Sequence, residues 1–198
     1  MGPGEAQLTD LLAEVRACTL CASMLPEGPR PIVQAGATAR IVIIGQAPGR
    51  RVHESGIPWD DQSGRTLREW LGITLEEFYD GSLVALLPMG FCYPGATTSG
   101  DNPPRPECAP LWHTRILDLL PSDRLEVIIG AYAQRRYIAD REETLTATVA
   151  KWAAYLPSRC VLPHPSPRNR RWLTSNPWFE ADVLPAVRAR VREVLSHG

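Results

Sequence analysis

Four short apolar runs punctuate the chain: Arg40-Ile-Val-Ile-Ile44, Leu83-Val-Ala-Leu-Leu87, Leu125-Glu-Val-Ile-Ile129 and Arg159-Cys-Val-Leu162. Each is too short for a buried helix, and two of the four are rich in Val and Ile. Such runs mark strands buried on both faces of a parallel sheet. Between and around them, residues 8–16, 64–71, 75–79, 107–119, 133–138, 144–155 and 178–195 carry helical periodicity. Ser63 stands where it can cap the helix from Gly64. Strand and helix alternate, which predicts an α/β fold: a three-layer α/β/α sandwich around a central, mainly parallel four-stranded sheet. At 198 residues the chain fits one domain, 1–198, with a sizeable core. Ligands of such sheets bind beyond the carboxyl ends of the strands. The stretches Met24 to Ala39 and Pro88 to Pro106 are dense in Pro and Gly and read as loop, as does Arg50-Arg51-Val52-His53.

Composition excludes several classes. No apolar stretch nears the ~20 residues of a membrane helix, so no membrane partner is expected. The first residues lack the basic-then-apolar layout of a signal peptide, which predicts a cytoplasmic protein. Net charge is −1, so any binding of nucleic acid must rest on a local basic patch. Lys151 is the only lysine, against twenty arginines. Five cysteines, an odd number without an export signal, argue for metal ligation or buried thiols over disulfides. Cys18 and Cys21 form a Cys-x-x-Cys; 70 residues separate Cys21 from Cys92, and 15 more separate Cys92 from Cys108.

Two motifs follow predicted strands. Gly45-Gln46-Ala47-Pro48-Gly49 comes after the first, and His164-Pro165-Ser166-Pro167-Arg168-Asn169 after the fourth, about 115 residues later. Glycine at a strand end lets the backbone approach a ligand closely, although a Gly-Pro turn is otherwise simple punctuation. A third segment, Gly56-Ile-Pro-Trp59-Asp60-Asp61-Gln62-Ser63-Gly64, offers an aromatic face beside two carboxylates; either acid can equally serve as a helix cap or sit in a polar turn.

Together these motifs resemble the active-site motifs of the uracil-DNA glycosylase superfamily, and the resemblance runs from Cys18 to the final helix. It looks closest to the iron–sulfur branch, often called family four, whose cysteine spacing matches that of Cys18, Cys21, Cys92 and Cys108. The resemblance implies a structural 4Fe–4S cluster on those four cysteines; a zinc site on the same four and isolated buried thiols are the other readings. It implies a base pocket formed by Gly45, Gln46, Ala47, Pro48 and Trp59, the indole stacking on a flipped uracil. It implies that His164 donates to the base carbonyl where negative charge develops, and that Ser166, Arg168, Asn169, Arg170 and Arg171 hold DNA. Arg168 would be the wedge that fills the vacated stack, and Arg171 a phosphate contact.

Two departures stand out. Some branches carry Asp or Glu in the first motif, where this chain has Gln46 and Ala47. A related branch places an Asp three residues before the later Gly, so Asp61, with Asp60 in reserve, is expected to orient water or stabilise the sugar cation; Glu54 is expected to be a surface charge. The iron–sulfur branch also reads the uracil edge with an Asn, and here that position is Pro88. The expected activity is removal of uracil from DNA by a monofunctional glycosylase acting in base excision repair, as a monomer. The alternative is a non-catalytic module that holds uracil-containing or abasic DNA on the same scaffold.

Overall fold

The computed structural model describes residues 2–98 and 100–196. The chain begins with helix α1 (Pro3–Arg16) and crosses a long loop into strand β1 (Ile41–Ile44). Helices α2 (Arg50–Ser55), α3 (Gln62–Leu71) and α4 (Leu75–Tyr79) follow, then β2 (Val84–Leu86) and a small hairpin of β3 (Ala96–Thr97) and β4 (Gly100–Asp101). Next come α5 (Cys108–Leu117), β5 (Leu125–Ile129), α6 (Gly130–Tyr137), α7 (Leu145–Ala150), α8 (Trp152–Tyr155), β6 (Arg159–Leu162), α9 (Arg170–Ser175) and α10 (Leu184–Ser196).

The main sheet has the order β2-β1-β5-β6, and every pairing in it is parallel, with Ile41 opposite both Val84 and Leu125 and Val127 opposite Cys160. Helices flank it, as in a three-layer α/β/α sandwich. All four residues of β1 are fully buried, which is why that strand reads as an unbroken apolar run rather than an alternating one. The exception within the sheet is Glu126 on β5. It is half-buried and accepts from Arg124 at 3.3 Å and Arg159 at 3.1 Å, so its charge is compensated in place.

Sequence periodicity located the four strands of the main sheet to within a residue, while the stretch read as loop from Pro88 to Pro106 holds the β3–β4 hairpin and several helical details differ. The helix expected over 144–155 breaks at Lys151 into α7 and α8. The C-terminal helix opens with a π turn over Phe179–Val183 before α10. The loop expected at Arg50–His53 is helix α2, pinned at its C-terminal end by Arg30, whose guanidinium donates to the carbonyls of His53 and Glu54. The polar run after Asn169 is likewise helical, because a 3-10 turn over Pro167–Asn169 feeds directly into α9. Asp61, not Ser63, caps α3: its Oδ1 accepts from the Gly64 N–H at 2.8 Å. Among the described residues, no helix is long and apolar enough to cross a membrane.

Candidate active site

Beyond the carboxyl ends of β1 and β6 lies a cleft of about 420 Å³. Its floor begins at Gly45, the first residue after β1. A Cβ at that position would lie 2.6 Å from Trp59 Cζ2, so glycine there is what lets the indole rest on the strand end. Trp59 holds a left-handed backbone, φ 59°, a conformation that costs a bulky residue on the order of 1–3 kcal/mol and persists only where the surroundings impose it. They do so here. The Tyr79 hydroxyl donates to the Pro58 carbonyl at 3.0 Å, and Asp61 anchors the following turn. Gly64 packs so tightly that a Cβ would fall 1.8 Å from the Trp59 carbonyl oxygen.

His164 enters from the opposite wall, two residues past β6. Its ring lies 5.7 Å from that of Trp59, centroid to centroid, at an interplanar angle of 28°, and both rings line the same cleft. The histidine loop is fixed by its own polar groups. Gln134 Nε2 donates to the Leu162 carbonyl at 3.0 Å, and Asn169 Nδ2 donates to the His164 carbonyl at 2.7 Å. Ser166 Oγ accepts from the Arg168 N–H at 3.3 Å. Burial holds the His164 imidazole below its ordinary pKa, and the Asp61 carboxylate opposes this only in part. The ring is therefore neutral near pH 7, and can donate to developing negative charge while the site carries no standing imidazolium.

Of the residues singled out from sequence, Gly45, Gln46, Ala47, Pro48, Trp59, Asp61, His164, Ser166, Arg168 and Asn169 all line this cleft. Asp60, Arg170 and Arg171 do not; the two arginines stand exposed at the start of α9. Asn169 gives one of its two amide hydrogens to the His164 carbonyl, so its placement serves the loop. The Arg168 guanidinium reaches across to the hairpin, where a Cβ on Gly100 would sit 2.3 Å from its Nη1. Sequence reasoning missed Asp101 and Ser63, which also line the cleft. A strand of two residues leaves no periodic signal, and nothing local to Asp101 announces a neighbour more than forty positions earlier.

The four cysteines Cys18, Cys21, Cys92 and Cys108 line a second, far smaller cavity of about 20 Å³ walled by Leu25, Phe91, Arg105 and Trp112. Burial pushes the Cys92 thiol up to about 11 and raises Cys21 and Cys108 as well. Backbone N–H groups of Arg30 and Phe91 donate to the sulfurs of Cys92 and Cys108 and partly offset this, as second-shell donors to thiolates do. Among the described residues, no group of three or more His, Cys, Asp or Glu side chains is arranged to hold a metal ion. Cys160, inside β6, is not part of that wall, and burial pushes it to about 12.

The family model of the uracil DNA glycosylase superfamily matches residues 33–188. That span contains both strand-end loops, Trp59, Asp61, Asp101 and the last three cysteines, while Cys18 and Cys21 precede it. With a match over most of its length, and with both signature loops meeting over one cleft at the carboxyl edge of a parallel sheet, this chain belongs to the uracil DNA glycosylase superfamily.

Proposed function

We propose that this chain is a monofunctional uracil-DNA glycosylase: it flips uracil out of DNA, hydrolyses the N-glycosidic bond and leaves an abasic site. The observation that carries the reading is the meeting of Trp59 and His164 in one cleft. An indole face offers a flipped base a stacking surface. A neutral imidazole beside it can donate to the carbonyl next to the glycosidic nitrogen, where charge builds as the bond breaks. Asp61 caps α3 through Oδ1, and its second oxygen is the group to orient water or stabilise the sugar cation. Two exposed arginine pairs adjoin residues of the cleft: Arg50 and Arg51 follow Gly49 directly, with Arg50 ion-paired to Glu27 at 3.2 Å, and Arg170 and Arg171 follow Asn169. They supply the local positive charge that a chain of net charge −1 needs in order to hold phosphates. Lys151, the only lysine, is ion-paired with Glu142 and does not line the cleft. It is therefore not placed to form a Schiff base with the sugar, which favours simple hydrolysis.

The cysteine cavity supports a structural 4Fe–4S cluster. Its four soft donors line one void, Arg105 and Glu107 meet Cys21 at its edge, and backbone N–H groups point at two of the sulfurs. Bound there, the group would tie the N-terminal Cys-x-x-Cys to the loop after β2. Four cysteine thiols are the donor set that such a cluster takes.

The test is release of free uracil from single- and double-stranded oligonucleotides containing it, with the cluster intact. Asp61→Asn sharpens the assay, because Asn caps a helix about as well as Asp; release should fall while binding and folding persist. A binding module without turnover is the second reading. It is favoured by the absence of a carboxylate at Gln46 and Ala47 and by the use of one Asp61 oxygen as a helix cap. It predicts a gel shift from which uracil-containing DNA is recovered uncut.

A further inference from the structure

Pro88 stands on the cleft wall where a reader of the base edge would be expected, and residues 88–91 offer no replacement. Proline has no N–H, and the Pro88 carbonyl is held by His113 Nε2 at 3.0 Å on the side away from solvent. The next two N–H groups are also committed: Met89 donates to the Gly45 carbonyl at 2.9 Å and Gly90 to the Gln46 carbonyl at 3.0 Å. The Phe91 N–H is turned to the Cys108 sulfur. Any selectivity for the flipped base must therefore come from the facing strand end.

A base edge with an N–H beside a C=O asks for an acceptor and a donor side by side. A carboxylate offers acceptors alone and would repel the carbonyl, which removes Asp61 and Asp101. Ser63 offers one hydroxyl. Asn169 is a carboxamide, but one of its two amide hydrogens is held by the His164 carbonyl of its own loop, which fixes the direction of that amide. Gln46 is the carboxamide that remains. Its backbone is fixed at the end of the central strand by the Gly90 bond, its side chain is half-buried and lines the cleft, and no hydrogen bond engages its amide among the described residues.

Building on the glycosylase reading, we infer that the Gln46 carboxamide reads the Watson–Crick edge of the flipped base, pairing with the N–H and adjacent C=O that mark a deaminated base. The glutamine that displaces the family's carboxylate in the first motif thereby takes over the task that Pro88 cannot perform. A well-formed bidentate pair to a base edge discriminates by about 10- to 100-fold.

The experiment compares oligonucleotides carrying uracil or N3-methyluracil, which lacks the N–H but keeps the carbonyls. Wild type should favour uracil by about tenfold or more in kcat/KM. Gln46→Ala should lose activity on uracil and show little preference between the two, a change in ratio that a general loss of fold would not produce. Gln46→Glu retains an acceptor but no donor and should also be slower. An unchanged preference in Gln46→Ala, or faster release by Gln46→Glu, would place residue 46 at the water or sugar and overturn the assignment. If wild type releases no base at all, the glycosylase reading fails separately. The same preference is then read from the Kd of non-cleavable 2′-fluoro oligonucleotides, where an equal Kd for the two bases would overturn the role of Gln46.

Discussion

The cleft and the cysteine cavity share one stretch of chain yet could hardly differ more. One is about 420 Å³ and rimmed by Asp61, Asp101, His164 and Arg168; the other is about 20 Å³ and walled by thiols, apolar side chains and Arg105. The segment from Pro88 to Cys108 serves both. Pro88, Gly100 and Asp101 face the cleft, while Phe91, Cys92, Arg105 and Cys108 face the cavity. His113 sits behind this segment, fully buried, bonded to the Pro88 carbonyl and stacked on Phe91 at 5.6 Å. Size and polarity suit the first to a ligand that comes and goes and the second to a permanent occupant. A change within that shared segment should therefore reach both.

The largest contrast is all-or-none. Cys108→Ser should abolish the broad visible absorption expected of a 4Fe–4S protein, whereas Cys160→Ala, outside the cavity, should retain it. Uracil release should fall in the first variant through the shared wall; unchanged release would separate the two sites. His164→Ala should cost about 10²- to 10³-fold in single-turnover rate, the usual loss of one donor to a developing oxyanion, while leaving the absorption spectrum intact.

His113 tests the wall itself. Burial lowers its pKa to about 4 from an ordinary 6.5, so the folded state binds its proton less readily than the unfolded chain does. This contribution to stability is whole above pH 6.5 and fades as pH falls toward 4, a loss on the order of 3 kcal/mol. Urea midpoints at pH 7.5 and pH 4.5 should show it, and His113→Gln should flatten the slope; an equally steep decline in that variant would assign it to other groups. Smallest of the four, Gly64→Ala forces the Trp59 carbonyl to move. Losing the stacking surface should cost on the order of 1–3 kcal/mol in binding of uracil-containing DNA, with the cysteine cavity untouched.

How much of this was legible in the sequence depended on how local the cause was. The strands of the main sheet were, because burial on both faces leaves a run of apolar residues that no exposed segment would carry. The two signature loops were also legible, since a parallel sheet places its strand ends together whatever the helices do. Helices α2 and α9 were hidden in polar runs, where short length and exposure erase the apolar stripe. Asp61 was expected as a site residue or a helix cap; it lines the cleft and caps α3 at once, which no pattern along the chain displays.

The amino-acid order by itself determined the α/β class, the strand positions and the pairing of a Gly-rich turn with a histidine loop, because these follow from hydrophobic burial and the geometry of the β-strand. Only the tertiary structure decided which polar groups stay uncommitted around the cleft. That depends on hydrogen bonds between residues tens of positions apart, such as His113 with Pro88 and Gly90 with Gln46. A donor spent on a distant carbonyl looks the same in sequence as one left for a ligand.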